Sequence, residues 1–221
     1  MIDNENILDD VSGAALWCGA DCDPTDLARY ASVALEHNVA AISVAPMSVG
    51  VVWPWLENKK IPIFARFYPR ARGAAGASEI VASINQAFKQ GADGAQVFVS
   101  LQNLDEFVSQ LYLIRDDLFF NKAAFVGVDI CEIGPFDWNS VFSALRKMRA
   151  TGLVCALARD DGDASDFVGR VYAALSAWDA AGDMDLHFVT GKNPVRVEQA
   201  MRLVQSVRPE LAPRVKFFVN V

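Results

Sequence analysis

The chain has 221 residues, of which 52% are hydrophobic and 21% are charged, and its formal net charge is −7. This composition supports a globular core and excludes a disordered chain or a disulfide-rich scaffold. The negative charge argues against a nucleic-acid backbone as the main partner. No run of about 18 apolar residues exists, so we expect no membrane span. The acidic N-terminal residues do not resemble a secretion signal, so we expect a cytoplasmic protein.

Short apolar runs recur along the chain about every 29 residues, which is the length of a β-α unit. They are continuously apolar rather than alternating, as is typical of parallel strands that are covered on both faces. The predicted strands are 14–18, 40–45, 61–67, 95–99, 125–130, 153–158, 186–190 and 215–219.

The segments between the runs carry helix signals. Asp23 and Pro24 provide an N-cap and a first-turn proline, and Asn193 and Pro194 do the same for the last predicted helix. Apolar residues at helical spacing follow each of these starts. Between residues 47 and 58, Gly50 and Pro54 allow only a short or broken helix.

Eight strands with seven intervening helices predict a (β/α)8 barrel of the TIM-barrel type, in one domain over residues 1–221 and with the final helix missing. An open doubly wound sheet is the alternative, but such sheets usually have five or six strands. Val215, Phe217 and Val219 share one face of the last strand. Because no helix follows to cover this face, we expect a homo-oligomer that buries it, unless residues 1–12 fold over the gap.

Three motifs in the first 100 residues resemble deoxyribose-phosphate aldolases. The stretch from Asp23 to Pro46 resembles the family's opening, in which a capped helix leads into a strand that ends in proline. The run 61–69, ending in Phe-Tyr-Pro, is similar to the family's third strand, and Gly-Ala-Asp at 91–93 resembles its approach to the fourth. Because Gly-Ala-Asp is common in aldolase-type barrels, the resemblance implies the broad class I aldolase superfamily more than one enzyme.

The catalytic groups of that family do not carry over to this chain. The resemblance implies a Schiff-base lysine on the sixth strand, where Cys155 stands, and a second lysine where Phe188 or Val189 stands. Gln96 occupies the place of the family's aspartate, and the Asp-His-Thr of its first strand is missing. A Schiff base needs a desolvated amine. We therefore do not expect the standard deoxyribose-phosphate aldolase reaction.

The carboxyl ends of the predicted strands carry several cationic side chains, and barrel active sites lie at that end. Arg70 and Arg72 follow the third strand, Arg159 the sixth and Lys192 the seventh. Together with the free N–H groups of the helix that begins at Asn193, these residues could hold a phosphate or a carboxylate. The alternative for the arginines is that they are solvated loop charges.

Asp129 is the strongest candidate for proton transfer, because it lies near the carboxyl end of an apolar strand. Its alternative roles are pairing with an arginine or capping the next loop. Asp160 is a second candidate catalytic residue. With Glu132 these aspartates could bind a divalent cation, but they lack a ligand spacing, so we expect no metal and no cofactor. We expect His187 near the bottom of the barrel to be a core residue, and the four cysteines to be buried thiols.

Two functions remain open from these residues. The first is an aldolase-like lyase that acts on a small phosphorylated or carboxylated metabolite, with Asp129 moving a proton and Lys192 as phosphate clamp or displaced amine. The second is a catalytically inactive barrel that serves as a ligand-binding or protein-interaction module. The fold alone does not decide between these two functions, because this barrel hosts many reactions.

Overall fold

The computed structural model describes residue 8 and residues 13–69, 73–112, 115–157, 164–191 and 193–220. Its eight parallel strands pair in chain order, and β8 pairs with β1, so the sheet closes into a barrel. The strands are β1 (Ala14–Trp17), β2 (Ile42–Val44), β3 (Ile63–Phe67), β4 (Gly94–Phe98), β5 (Ala123–Asp129), β6 (Gly152–Ala156), β7 (Asp185–Gly191) and β8 (Val215–Val219). The predicted (β/α)8 barrel is therefore confirmed.

Eight α-helices are present in the described ranges, and they pack around the barrel. They are α1 (Pro24–Glu36), α2 (Val49–Leu56), α3 (Gly73–Lys89), α4 (Leu104–Tyr112), α5 (Arg115–Leu118), α6 (Trp138–Lys147), α7 (Ala164–Ser176) and α8 (Pro194–Val207). Within these ranges no helix combines the length and the apolar composition that a bilayer crossing requires.

Local sequence signals account for most of the helix boundaries. Asp23 caps α1, since its side chain accepts hydrogen bonds from the backbone N–H groups of Thr25 and Asp26, while the Asp26 side chain accepts from the Asp23 N–H. The segment 46–59 is broken as predicted, with a 3-10 turn on each side of α2 and Pro54 inside it. Asp137 precedes α6, but its side chain makes no capping hydrogen bond.

The strands separate two layers of side chains, because successive residues point to opposite faces of a strand. One set packs against the helices and forms the main hydrophobic core, which contains Leu16, Ile42, Cys155 and Phe217. The other set fills the barrel interior. Its apolar members are Ala15, Ala41, Phe64, Phe125, Val154, Val189 and Phe218, with Trp17, Phe98, Ala123 and Ala156 against them.

The seam between α8 and α1 is closed within one chain. Val215, Phe217 and Val219 on the outer face of β8 are only 1 to 3% exposed, and Leu8 is buried in the same core. The Tyr30 hydroxyl on α1 donates a hydrogen bond to Asn220 Oδ1 just beyond β8, at 2.7 Å. The expectation that this apolar face lies open is therefore wrong. A homo-oligomer stays a prediction, but this face gives no reason for it.

Candidate functional site

Most of the site residues predicted from the sequence lie outside the described residues. These are Arg70, Arg72, Arg159, Asp160 and Lys192. In the sequence these residues follow the strands β3, β6 and β7. Their roles remain predictions.

Asp129 and Asn193 are described, and each side chain makes a local capping contact. Asp129 is half-buried at the end of β5, and its Oδ1 accepts a hydrogen bond from the Cys131 N–H at 2.9 Å. Asn193 is the N-cap of α8, and its Oδ1 accepts from the Val195 N–H at 3.1 Å. Each contact satisfies one side-chain oxygen, a carboxylate oxygen of Asp129 and the amide oxygen of Asn193.

An arginine inside the barrel is the most unusual group that the structure places near this end. Arg66 on β3 is 3% exposed, and its guanidinium lies 3.9 Å from the ring centroid of Trp17 on β1. Its Nη2 donates to the carbonyl oxygen of Cys18, while Nε and Nη1 are buried without a hydrogen-bond partner. Burial lowers the pKa of this guanidinium, and no carboxylate among the described residues offsets that effect.

A buried charge without a counter-ion is costly, by several kcal/mol even after the surroundings relax. A lysine or histidine could avoid this cost by losing its proton, but an arginine keeps its charge at any pH that a protein experiences. Arg66 therefore keeps a buried positive charge, and no carboxylate of the described residues lies beside it to offset that charge.

Gln96 on β4 extends the polar surface beside Arg66. The two residues are direct neighbours across the β3–β4 pair, and both face the interior. Gln96 is fully buried; its Oε1 accepts a hydrogen bond from the Ser43 hydroxyl at 2.6 Å, and its Nε2 has no partner. We call Arg66, Gln96, Ser43 and Trp17 the Arg66 site. It presents one positive charge and unused N–H donors.

Aromatic rings form one wall of the Arg66 site. Phe98, the next inward residue after Gln96, packs edge-on against Trp17 with ring centroids 5.8 Å apart. Tyr68 stacks on the Phe98 ring with centroids 4.9 Å apart and is 59% exposed. Gly127 on β5 makes room for this wall, because a Cβ there would lie 2.4 Å from the Phe98 ring. Phe98 thus stands between the Arg66 site and the strand that ends in Asp129.

His187 on β7 lies in the layer of the barrel interior below the Arg66 site, and it is a core residue as predicted. It is fully buried, and its ring stacks on Phe125 with centroids 4.2 Å apart. Phe64 and Phe218 complete the surrounding aromatic layer. Neither ring nitrogen has a partner, and burial, followed by the charge of Lys216, lowers the pKa of His187 well below its usual value. His187 is thus a neutral core residue.

A separate cavity of about 470 Å³ lies between α6, α7 and the loop after β5. Its wall contains Arg170, but this guanidinium donates to Asp166 Oδ2 at 2.9 Å and to the Ile130 carbonyl at 3.2 Å. The cavity therefore lacks the unpaired charge of the Arg66 site. No group of three or more potential metal ligands occurs among the described side chains.

Arg66, Gln96, Trp17 and Tyr68 are candidate binding residues that the sequence analysis did not select. Arg66 carried a detectable signal, because it is a charge in the middle of the apolar run Ile61–Phe67. The same reasoning selected Asp129. Gln96 was noted only as a replacement for an aspartate, and nothing in the sequence indicated that the two side chains are neighbours.

Comparison with solved structures confirms the barrel type. Deoxyribose phosphate aldolase from Aeropyrum pernix matches with a TM-score of 0.71 and 10% identity, over 100% of this chain and 88% of that one. An aldolase named QR15 matches with a TM-score of 0.70 and 14% identity, over 98% and 92% of the two chains. Lysine/ornithine decarboxylase from Vibrio vulnificus matches with a TM-score of 0.63 and 14% identity, over 98% and 58%.

These identities show a shared fold and no more. No family model and no curated protein matches the chain. The structural likeness to aldolases is a likeness of fold and assigns neither a family nor a substrate nor a reaction.

Proposed function

We propose that this chain binds a small carboxylated or phosphorylated metabolite at the carboxyl ends of its strands, and that Arg66 receives the anionic group. The observation that carries this proposal is the unpaired guanidinium, which is 3% exposed and has two nitrogen atoms without a partner. An anion bound there gains charge-assisted hydrogen bonds and relieves the cost of the buried charge.

We infer that the reaction at this site is that of an aldolase-like lyase. Such a reaction needs a group that accepts the electrons of the broken carbon–carbon bond and a group that moves a proton. Asp129, on the inward side of the β5 terminus, is the proton-transfer group of this proposal, and Asp160 is the second candidate catalytic residue. Lys192 is either the amine that accepts electrons as a Schiff base or a clamp for the anion.

The remaining predicted residues belong to substrate binding in this proposal. Arg70, Arg72 and Arg159 follow strands β3 and β6 and add positive charge around the substrate. Asn193 keeps its amide NH₂ group for the substrate, because only its Oδ1 is used as the cap of α8. We expect no cofactor and a cytoplasmic location, and we expect a homo-oligomer, which sedimentation equilibrium tests.

A binding protein without catalysis is the second candidate function. Strands β4 to β7 contain no lysine, and Cys155 faces the helices rather than the barrel interior. Gln96 lies inside the barrel, but an amide cannot transfer a proton as a carboxylate does. Both candidates require the Arg66 site, and they differ in whether Lys192 and Asp129 perform chemistry.

Binding is tested first by measuring the shift in melting temperature that each member of a panel of small sugar phosphates and carboxylates causes. Lys192→Met is the informative variant, with Lys147→Met on the exposed end of α6 as its control. The lyase proposal expects turnover of a hit and borohydride trapping on Lys192 if that residue is the amine. Binding without turnover supports the second candidate. No shift with any anion contradicts the proposal as a whole.

A further inference from the structure

Helix α2 and the 3-10 turn before it carry a continuous surface of exposed apolar residues. We call this surface the α2 patch, and its members are Met47, Gly50, Val51, Trp53, Pro54 and Trp55. Met47 is 81% exposed, and the indoles of Trp53 and Trp55 are 36% and 42% exposed. Single exposed apolar residues are ordinary, but a contiguous apolar surface marks an interaction site.

The α2 patch has the shape of a groove between two ridges. On a helix, residues four apart form rows along the surface. Val51 and Trp55 form one row, Trp53 stands on the opposite side, and Gly50 and Pro54 form the row between them. This middle row is low, because glycine has no side chain and proline has a small one. One copy of the chain therefore offers both a ridge and a groove, and a two-fold interface needs such a self-complementary surface.

The packing of the chain itself fixes one ridge and leaves the groove free. Trp53 lies on the backbone of Gly91, where a Cβ would stand 2.1 Å from the indole. A side chain that is already ordered loses little conformational entropy when a partner covers it. At Gly50 the nearest neighbour of an added Cβ would be Gln90, at the ordinary contact distance of 3.7 Å. A side chain introduced at Gly50 therefore fills the groove without disturbing the fold.

The charge distribution identifies the occupant of the groove as a second copy of this chain. The whole chain has a net charge of −7, but the segment 46–56 contains no charged residue. Two copies therefore repel each other in most orientations, and the α2 patch lets them meet without that repulsion. Glu57, Lys59 and Lys60 follow the patch directly and are exposed. Because this rim carries both signs of charge, two identical rims do not oppose each other.

The area of the α2 patch fits the centre of a dimer interface. A whole aromatic side chain has roughly 150–250 Å² of surface, so the two partly exposed indoles contribute roughly 100–200 Å². With its other members the patch reaches the roughly 300–600 Å² of the largest apolar patches on monomers. A stable interface buries about 800 Å² per partner, with an apolar centre and a polar rim. The α2 patch supplies the centre, and the residues around it supply the rim.

We propose that the α2 patch is the interface of a homodimer. The row of Val51 and Trp55 in each copy packs into the groove over Gly50 and Pro54 of the other copy. This inference goes beyond the proposed function, because no residue of the α2 patch belongs to the Arg66 site and its test needs no anion. It also gives the expected homo-oligomer a surface other than the outer face of β8.

Sedimentation equilibrium of the full chain at micromolar concentration tests the inference. We expect a species with twice the mass of the chain. Dilution should shift the tryptophan fluorescence to longer wavelength, because Trp53 and Trp55 become exposed to water when the dimer dissociates. A chain that stays monomeric would overturn the inference and leave the proposed anion site intact.

Two variants locate the interface. Val51→Lys places a charge on the ridge, so we expect a monomer, and Gly50→Gln fills the groove, so we expect the dissociation constant to rise about tenfold or more. Both positions are exposed, and circular dichroism should show the fold of the unaltered chain. If Val51→Lys does not fold, Gly50→Gln decides alone.

Phe136→Lys is the matched control, since Phe136 is 94% exposed and lies in the loop after β5, outside the α2 patch. It should dimerise as the unaltered chain does. Unchanged dimerisation of the folded α2 variants would overturn the inference. An equal loss of dimerisation in Phe136→Lys would do so as well, because the effect would then not be specific to the α2 patch.

Discussion

Arg66 and His187 are both buried bases inside the same barrel, and both have nitrogen atoms without a partner. They differ in how each can reduce the free-energy cost of a buried charge. His187 loses its proton, because burial, followed by the charge of Lys216, lowers its pKa well below the usual value. Arg66 cannot do so, since a guanidinium stays protonated at any ordinary pH. The lower layer of the barrel therefore becomes neutral by itself, whereas the layer that contains Arg66 keeps a positive charge that no carboxylate among the described residues offsets.

The acid side of the stability profile tests the His187 half of this comparison. The unfolded chain binds a proton at His187 below about pH 6.5 and the native chain does not, so stability falls with decreasing pH. The slope is about 1.4 kcal/mol per pH unit, or about 2 kcal/mol between pH 6.5 and 5.

Urea denaturation at several pH values measures this slope. His187→Phe should flatten it, while Phe120→Leu should not, because Phe120 is exposed and carries no titrating group. A steep slope that persists in His187→Phe would mean that another group causes the acid sensitivity.

The aromatic wall beside Arg66 can be displaced through Gly127. Alanine at this position places a Cβ against the Phe98 ring, so we expect a loss of about 1–3 kcal/mol of unfolding free energy and weaker anion binding. Gly169→Ala on α7 is the matched control, because its Cβ would have no neighbour within 4 Å. It should gain about 0.5–1 kcal/mol. Equal effects of the two substitutions in chemical denaturation would show that Phe98 does not rest on Gly127.

Thiol labelling gives a smaller but direct test of which strand face points inward. Cys155 is fully buried in the outer layer, and burial raises its pKa, so we expect no labelling of the native protein. Cys131 is exposed next to Asp129 and should react first, faster at high pH because burial and Asp129 raise its pKa. Mass spectrometry after partial labelling identifies the modified residue. Rapid labelling of Cys155 without unfolding would contradict the strand placement.

The fold was predictable because each strand and helix of the barrel follows from a local sequence pattern that repeats along the chain. The predicted strand 215–219 matches β8, and the ends of the others differ by up to two residues. The broken helix around Pro54 was also predictable, because proline and glycine act locally. These features depend on residues that are neighbours in the sequence, so they can be recognised from the sequence alone.

The candidate site was less predictable, because it depends on neighbours in space. Asp129 and Arg66 both stand in apolar strands, yet only the first was selected, and the structure gives it a capping contact. Whether a buried charge is paired depends on what the adjacent strands place beside it. For Arg66 these neighbours are an indole and an amide, and neither carries a charge.

The most direct test of the central claim is the stability of Arg66→Met without ligand. If Arg66 is kept for binding an anion, its replacement by an apolar side chain of similar length removes an uncompensated charge. The free energy of unfolding should then stay equal or rise by about 1 kcal/mol or more, while the thermal shift caused by anions disappears. If Arg66 instead holds the barrel together, the same variant should lose about 3–5 kcal/mol, and that result would contradict the account.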